Sequence, residues 1–421
     1  MSKLSQILRN VMRDNSANAA VISAFSLLAM IGGAGLATDT IQWTLWKRQL
    51  QRISDSAAIS GATSLARGGS ASAAATSEIN RYTIITLSGS PTIETPPTAG
   101  PYSGNAMAVR VVTTSSRTLP FSSMFMAATP VIRAEATAAA VGFGNYCVIS
   151  LETTTATGVI FQGSSLVNLG CGVATNSQGS SAISAGGGSS VTASPVSAVG
   201  LVPASNNYAA GTVLNSYTIA QPDPYANLPL PSGYSCSGEL QVNSNQTRNI
   251  NNSTGVQCYR GMDLKGTVNF DPGTYIIDGS SGSSLRVGAG AVVRCTGCTF
   301  IFTTTSADLS TIPTVTMNGN STWQVTAPDT GTYAGIMMYQ DRRGTASGSN
   351  IITGDNASAM RGAIYFPDQQ VTFTGSSAMD TNCIQIVART VTFTGNNYIT
   401  NTCPAGGASH AVAGIQIRLV N

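Results

Sequence analysis

The tightest constraint on this chain is a repeat in its last third. Val371-Thr-Phe-Thr-Gly-Ser-Ser recurs twenty residues later as Val391-Thr-Phe-Thr-Gly-Asn-Asn. Val315-Thr-Met-Asn-Gly-Asn-Ser and Ile351-Ile-Thr-Gly-Asp-Asn are related copies. Gly319, Gly354, Gly375 and Gly395 mark them at spacings of 35, 21 and 20. A second apolar run follows each copy: Ala334-Gly-Ile-Met-Met-Tyr, Ala363-Ile-Tyr-Phe, Cys383-Ile-Gln-Ile-Val and Gly414-Ile-Gln-Ile-Arg-Leu. Gly273-Thr-Tyr-Ile-Ile-Asp and Cys298-Thr-Phe-Ile-Phe look like the same element further upstream. A short-strand unit of this period cannot bury its apolar side alone, so copies must stack and share a core. The expectation is a mainly β protein whose residues 145–421 form a right-handed parallel β-helix; antiparallel hairpins in a β-sandwich are the competing arrangement. In the β-helix, Val371 and Val391 stack in register. Phe373 and Phe393 then point inward with them, and Thr372 and Thr392 point outward.

A Pro-rich segment, residues 202–262, breaks the pattern and reads as a loop insertion. Pro222, Pro224, Pro229 and Pro231 cannot donate ladder hydrogen bonds. Only 9% of residues are charged, and none lies between Thr153 and Pro222. The net charge of +3 is too small and dispersed for a nucleic-acid surface. With 42% apolar residues the chain can still fill a large core, which argues against disorder.

Near the start, residues 15–38 carry no charge. A helix of ~20 apolar residues crosses a hydrocarbon core, so this run reads as a transmembrane helix following a short tail, 1–14. A cleavable signal peptide, with Gly35 and Ala37 before the cut, is the rival. Lys3, Arg9 and Arg13 precede the run and Lys47, Arg48 and Arg52 follow it, so flanking charge does not orient it. All eight cysteines, Cys147, Cys171, Cys236, Cys258, Cys295, Cys298, Cys383 and Cys403, lie beyond residue 140. An even count in an exported chain reads as disulfides, with buried free thiols as the alternative. Disulfides place the N-terminus in the cytoplasm and the bulk of the chain outside, in the periplasm. Pairing of sequence neighbours is the expected connectivity: Cys147–Cys171, Cys236–Cys258, Cys295–Cys298 and Cys383–Cys403.

Beyond the run, Trp43, Trp46, Leu50, Ile53 and Ala57 step by three and four, which puts them on one helical face. That face can pack on its own domain or on a partner helix, and the two tryptophans sit where an interfacial belt would lie. The stretch 13–62 resembles the N-terminal region of TadE/TadG-like pilus-assembly proteins. The resemblance is carried by Gly35-Leu36-Ala37-Thr38-Asp39, Leu50-Gln51 and Asp55-Ser56-Ala57-Ala58. Ala17 stands where a glycine is often found and no glutamate follows early in the apolar run, so the pattern departs from that of processed, pilin-like relatives. Residues 39–143 read as the family's small outer α+β domain, with Ala106-Met-Ala-Val-Arg-Val-Val as a strand. GTYIIDG, GAIYFP and CIQIVARTVTFTGN resemble segments that follow the anchor in some of these proteins. The resemblance implies a membrane-anchored structural role in Tad/Flp pilus assembly, an adhesion machinery of the bacterial inner membrane and periplasm, with other pilus-assembly proteins as partners.

Catalysis finds little footing. Asp271, Asp278, Asp329, Asp341, Asp355, Asp368 and Asp380 fall singly along the repeat, without the paired carboxylates of a glycan-cleaving β-helix. His410 is the sole histidine, in a Gly/Ala-rich stretch. Cys295-Thr-Gly-Cys298 lacks the second ligand pair of a zinc site. Asp278-Gly-Ser-Ser-Gly hints at the D-x-S-x-S metal motif of von Willebrand domains, but Gly282 occupies the second serine position. Asp341-Arg342-Arg343, the densest charge cluster of the repeat, reads as a solvated loop or a contact for a partner or anionic glycan. The expectation is a non-enzymatic protein without cofactor or metal; a glycan-binding or glycan-cleaving β-helix on a membrane stalk is the alternative.

Overall fold

The computed structural model describes residues 6, 9, 16–355, 357–374, 378–396, 398–402 and 412–420. His410, Cys403, Gly375, the side chain of Cys383 and most of the expected tail 1–14 lie outside the described residues. The chain is mainly β with one long apolar helix, and it divides into two units.

The first unit comprises Met1–Val141 and Ile417–Asn421. Its helix α1 spans Ser16–Ala66 without a break, so the expected boundary at residue 38 is not the end of an element. No proline interrupts these residues, and the helix stops where Gly68 takes a positive φ of 76° and Gly69 N–H reaches back to Ser64 O. A second helix, α2 (Ala71–Asn80), starts where the Ser70 hydroxyl accepts from Ala73 N–H. Ala71, Ala75 and Ile79 of α2 pack with Ala57, Ala58 and Ala62 of α1. Strands β1 (Thr92–Glu94), β2 (Ala108–Ser116) and β3 (Val131–Ser150) form antiparallel pairs, with Val109 opposite Ala138 and Val111 opposite Ala136. The alternate residues Ile132, Ala134, Ala136 and Ala138 turn toward Leu50 and Ile53 and complete a small core. The repeat region read from sequence runs to residue 421. Ile417, however, packs on this first core, and Val420 N–H donates to Thr137 O of β3, so the last residues belong to the first unit.

The second unit is Gly142–Gln416. Its strands are parallel, and from Cys236 to Thr326 each pairs with the third strand after it, which generates three ladders; further on, the long strands Ala359–Phe373 and Ala378–Phe393 each serve more than one ladder and pair with one another. One runs through Leu240–Val242, Met262–Leu264, Leu285–Val287 and Val315–Met317. The next runs through Thr247–Ile250, Thr267–Phe270, Val292–Thr296 and Thr322–Thr326. The third contains Val256–Tyr259, Gly273–Asp278, Cys298–Thr303 and Ile336–Gln340. Val371 pairs with Val391 and Phe373 with Phe393, all four side chains buried. Thr372 is half-buried, as an outward position allows, but Thr392 is buried and accepts from Gln370 Nε2 at 3.0 Å. A neighbouring glutamine lies over it, so parity alone did not determine its exposure.

The ladders do not follow chain order. Val391–Phe393 pairs on its far side with Val159–Phe161, and Tyr398–Thr400 with Leu166–Asn168, from the start of the unit. Val159–Phe161 then pairs with Ile183–Ala185. At the turn beside this junction a Cβ on Gly163, whose φ is 71°, would lie 2.9 Å from the backbone of Gly395, so only glycine fits.

The Pro-rich segment is shorter than expected. By Cys236–Ser237 the chain has rejoined a ladder, opposite Cys258–Tyr259, because no proline follows Pro231 until Pro272. The residues before Cys236 lie across the outer side of the third ladder. There Tyr365 OH donates to Asp223 at 2.8 Å, Tyr339 OH to Leu228 O at 3.1 Å and Tyr333 OH to Pro229 O at 2.8 Å. They cover a second apolar core of Ile276, Ile301, Tyr339, Tyr365, Val387 and Ile149. This is why Cys298–Thr303 and Ile336–Gln340 are buried on both faces and read as unbroken apolar runs.

Candidate functional site

Helix α1 is the chain's most distinctive surface. From Val21 to Leu45 its large apolar side chains are exposed around the whole circumference, among them Ile22, Phe25, Leu28, Ile31, Leu36 and Ile41. A water-facing helix carries one apolar stripe; a helix apolar all round belongs in lipid or in a core. Three of its hydroxyls need no water: Thr38, Thr40 and Thr44 donate to the carbonyls of Ala34, Leu36 and Thr40 at 2.8–2.9 Å. The helix is long and apolar enough to cross a membrane.

The sequence Gly35-Leu-Ala-Thr-Asp39 forms a socket. Asp39, only 3% exposed, accepts Phe121 N–H at 3.2 Å, Ser122 Oγ–H at 2.6 Å and Ser122 N–H. One turn earlier, Gly35 leaves room for the Phe121 ring; a Cβ there would sit 2.4 Å from ring carbon Cδ2. Both partners come from the connection between β2 and β3. Sequence reading offers Gly35 and Asp39 as a motif but gives no sign of what they hold.

The helical stripe divides at Trp46. Leu50 and Ile53 are buried in the first unit's own core and are unavailable to a partner. Trp46 packs against that core, with the Arg117 guanidinium 5.4 Å from its ring centre. Trp43 remains 44% exposed.

Asp341 and Arg342 are engaged internally, while Arg343 keeps half its side chain in solvent. Asp341 is buried and pairs with Arg343 at 2.6 Å while accepting Thr303 Oγ–H at 2.8 Å. Burial opposes its charge most strongly, yet the bonds from Arg343 and Thr303 together hold its carboxyl below the usual range. Arg342 donates to Tyr225 O at 2.6 Å, lies 3.7 Å from Asp223 and covers the Tyr365 ring. Two of the acids that fall singly in sequence, Asp341 and Asp368, thus lie within electrostatic reach of one another and of Asp223, Arg342 and Arg389. Burial, aided by Asp341, raises the Asp368 carboxyl despite Arg342 and Arg389, and its Oδ2 has no partner among the described residues. These groups come from four separate segments, and no local signal announces them.

Among the described residues, three disulfides join Cys147–Cys171, Cys236–Cys258 and Cys295–Cys298. Asp278 approaches Cys236 and Cys258, but with the sulfurs joined there is no thiolate to bind a metal. Its carboxylate instead caps the turn at Gly279–Ser281, accepting Ser280 N–H at 2.8 Å and Thr305 Oγ–H at 2.7 Å.

Residues 17–64, which include the whole of this socket on the helix side, match the family described as putative Flp pilus-assembly TadE/G-like. No curated protein matches the chain. A solved structure described as the crystal structure of an ice binding protein from an Antarctic Biological Consortium is similar over 61% of this chain and 87% of that one. It shares 11% identity at a TM-score of 0.24, a likeness too slight to bear on function.

Proposed function

We propose that this chain, whose residues 17–64 carry a TadE/G-like segment, is a single-span structural component of Tad/Flp pilus assembly in the bacterial inner membrane. The helix α1 crosses the bilayer with the N-terminus in the cytoplasm. Both units stand in the periplasm, where Cys147–Cys171, Cys236–Cys258 and Cys295–Cys298 would persist. The three parallel ladders wind into a right-handed β-helix, a stiff body suited to adhesion or to holding other pilus-assembly proteins at a distance from the membrane. Its role is mechanical rather than catalytic.

The observation that carries this reading is the helix apolar on all sides from Val21 to Leu45, lying within the TadE/G-like match. Protease added to spheroplasts should digest the bulk of the chain and leave a fragment protected by the membrane. Protection of the whole chain would overturn the orientation. Loss of surface pili on deleting the gene, restored by the full chain but not by one lacking 17–64, tests the assembly role.

A further inference from the structure

The connection between β2 and β3 carries apolar side chains that nothing in the first unit covers. Residues 118–132 contain no charged side chain. Within them Met124 and Phe125 are each 75% exposed and Met126 is 48% exposed. The preceding residues are anchored: Leu119 is buried, Phe121 fills the space above Gly35, and Phe121 and Ser122 are bound by Asp39. A loose tip would explain stray exposure; a tip tied at its base to a helix calls for a definite neighbour.

Position along α1 identifies that neighbour. Gly35 lies in the last turn of the uncharged run and Asp39 is the first charge after it, so Phe121 is held at the edge of the apolar span. The two ends of the connection are basic. Arg117 sits over Trp46, and Lys47 Nζ donates to the carbonyl of Arg133. At 1.5 Å per residue, Trp46 is roughly 16 Å along the helix from Gly35. The connection thus descends from a level of arginine, lysine and tryptophan to one of phenylalanine and methionine, which is the order of groups across a headgroup region.

We infer that residues 119–126 are a second membrane contact, dipping Met124, Phe125 and Met126 into the outer interface beside the span, with Asp39 as the tether that holds them there. This rests on α1 crossing the bilayer, and the occupant is lipid rather than a protein groove. Two anchors fix the first unit against rotation about the helix axis, which a single span leaves free.

The test uses the full chain in phosphatidylethanolamine–phosphatidylglycerol vesicles, with benzoylphenylalanine placed singly at Phe125, at Phe25 in the span, or at Tyr217 in the second unit. Irradiation should attach phospholipid at 125 and 25 and not at 217. Attachment at 25 without 125 overturns the loop contact and leaves the span intact; attachment at neither overturns the span itself. Asp39→Ala should abolish lipid attachment at 125 and preserve it at 25, whereas undiminished attachment at 125 would remove Asp39 from the proposal. A label-free measurement needs no variant. Hydrogen peroxide should oxidise Met124 more slowly than the less exposed Met107 in vesicles, and the order should reverse in the delipidated chain. Faster oxidation of Met124 in both states would overturn the contact.

Discussion

Phe161 and Phe393 lie ring on ring, with centroids 5.1 Å apart and planes 4° apart, although they come from opposite ends of the second unit. Phe373 continues the stack at 5.3 Å on the other side of Phe393. The stack joins the first-made strands of the unit to the last-made ones.

Substitutions in this stack should separate burial from mere strand membership. Phe373→Ala should cost about 3–5 kcal/mol through lost transfer energy and a cavity. Thr372→Ala, half-buried, should cost about 0.5 kcal/mol or less. Thr392→Ala should cost more than Thr372→Ala, since it strips a partner from Gln370. A double-mutant cycle on Phe161 and Phe393 should return a coupling of about 0.5–1.5 kcal/mol. Urea melts in detergent, followed by a probe in the second unit, give all four numbers. Equal losses at Phe373 and Thr372 would mean that the strand faces the other way.

The disulfides should differ in worth with the chain they enclose. By loop-closure entropy, Cys147–Cys171, separated by 24 residues, contributes about 3.5 kcal/mol, and Cys295–Cys298, separated by 3, about 1.6 kcal/mol. Paired Cys→Ser variants at each bridge, melted alongside the parent chain, test this order. Non-reducing peptide maps should recover the three observed bridges from protein taken from intact cells, and recovery of alkylated Cys147 or Cys258 would contradict them.

Asp341 and Asp368 should respond to pH with opposite signs. Asp341 has a lowered carboxyl, so its stabilisation is present above the unfolded value and disappears as pH falls through the folded one. Asp368 has a raised carboxyl, so it penalises the fold progressively as pH rises from the unfolded value through the folded one. Asp341→Asn should therefore destabilise at neutral pH. Asp368→Asn should stabilise there, and both effects should shrink in acid. Urea midpoints measured at about pH 7 and about pH 3 decide the signs; a loss of stability for Asp368→Asn at neutral pH would show that its carboxylate is paired.

Much of this arrangement could be read in the sequence where one residue type answered one local demand. The uncharged run and Gly35…Asp39 located the helix and its motif, and identical Val-Thr-Phe-Thr-Gly copies fixed the register of Val371 on Val391. The junction with Val159–Phe161 was also legible in principle. Val159-Ile-Phe-Gln-Gly-Ser-Ser shares Val, Phe, Gly and both serines with the copy at Val371, but the eye follows chain order and stops at the nearer copies. The second apolar core was not legible, because Tyr339 and Tyr365 look alike whether an outer segment covers them or not. Nor was the gathering of Asp223, Asp341 and Asp368, since only folding measures distances between their segments. The Phe121 socket depends on a contact across 82 residues between Asp39 and Phe121, and nothing near either residue declares it.

The out-of-order junction also sets a timetable. In synthesis, Gln162 emerges 232 residues before Thr394, the residue whose hydroxyl its side chain meets beside the stack. Until then the strand Val159–Phe161 waits with one backbone edge open, and such an edge invites pairing with any passing chain. Closure of contacts this distant along the sequence is slow. The second unit thus reaches its finished form only after residues 391–393 have been made, and a chain cut short before them keeps its unpaired edge in the middle of the stack, exposed to proteases and to neighbouring copies.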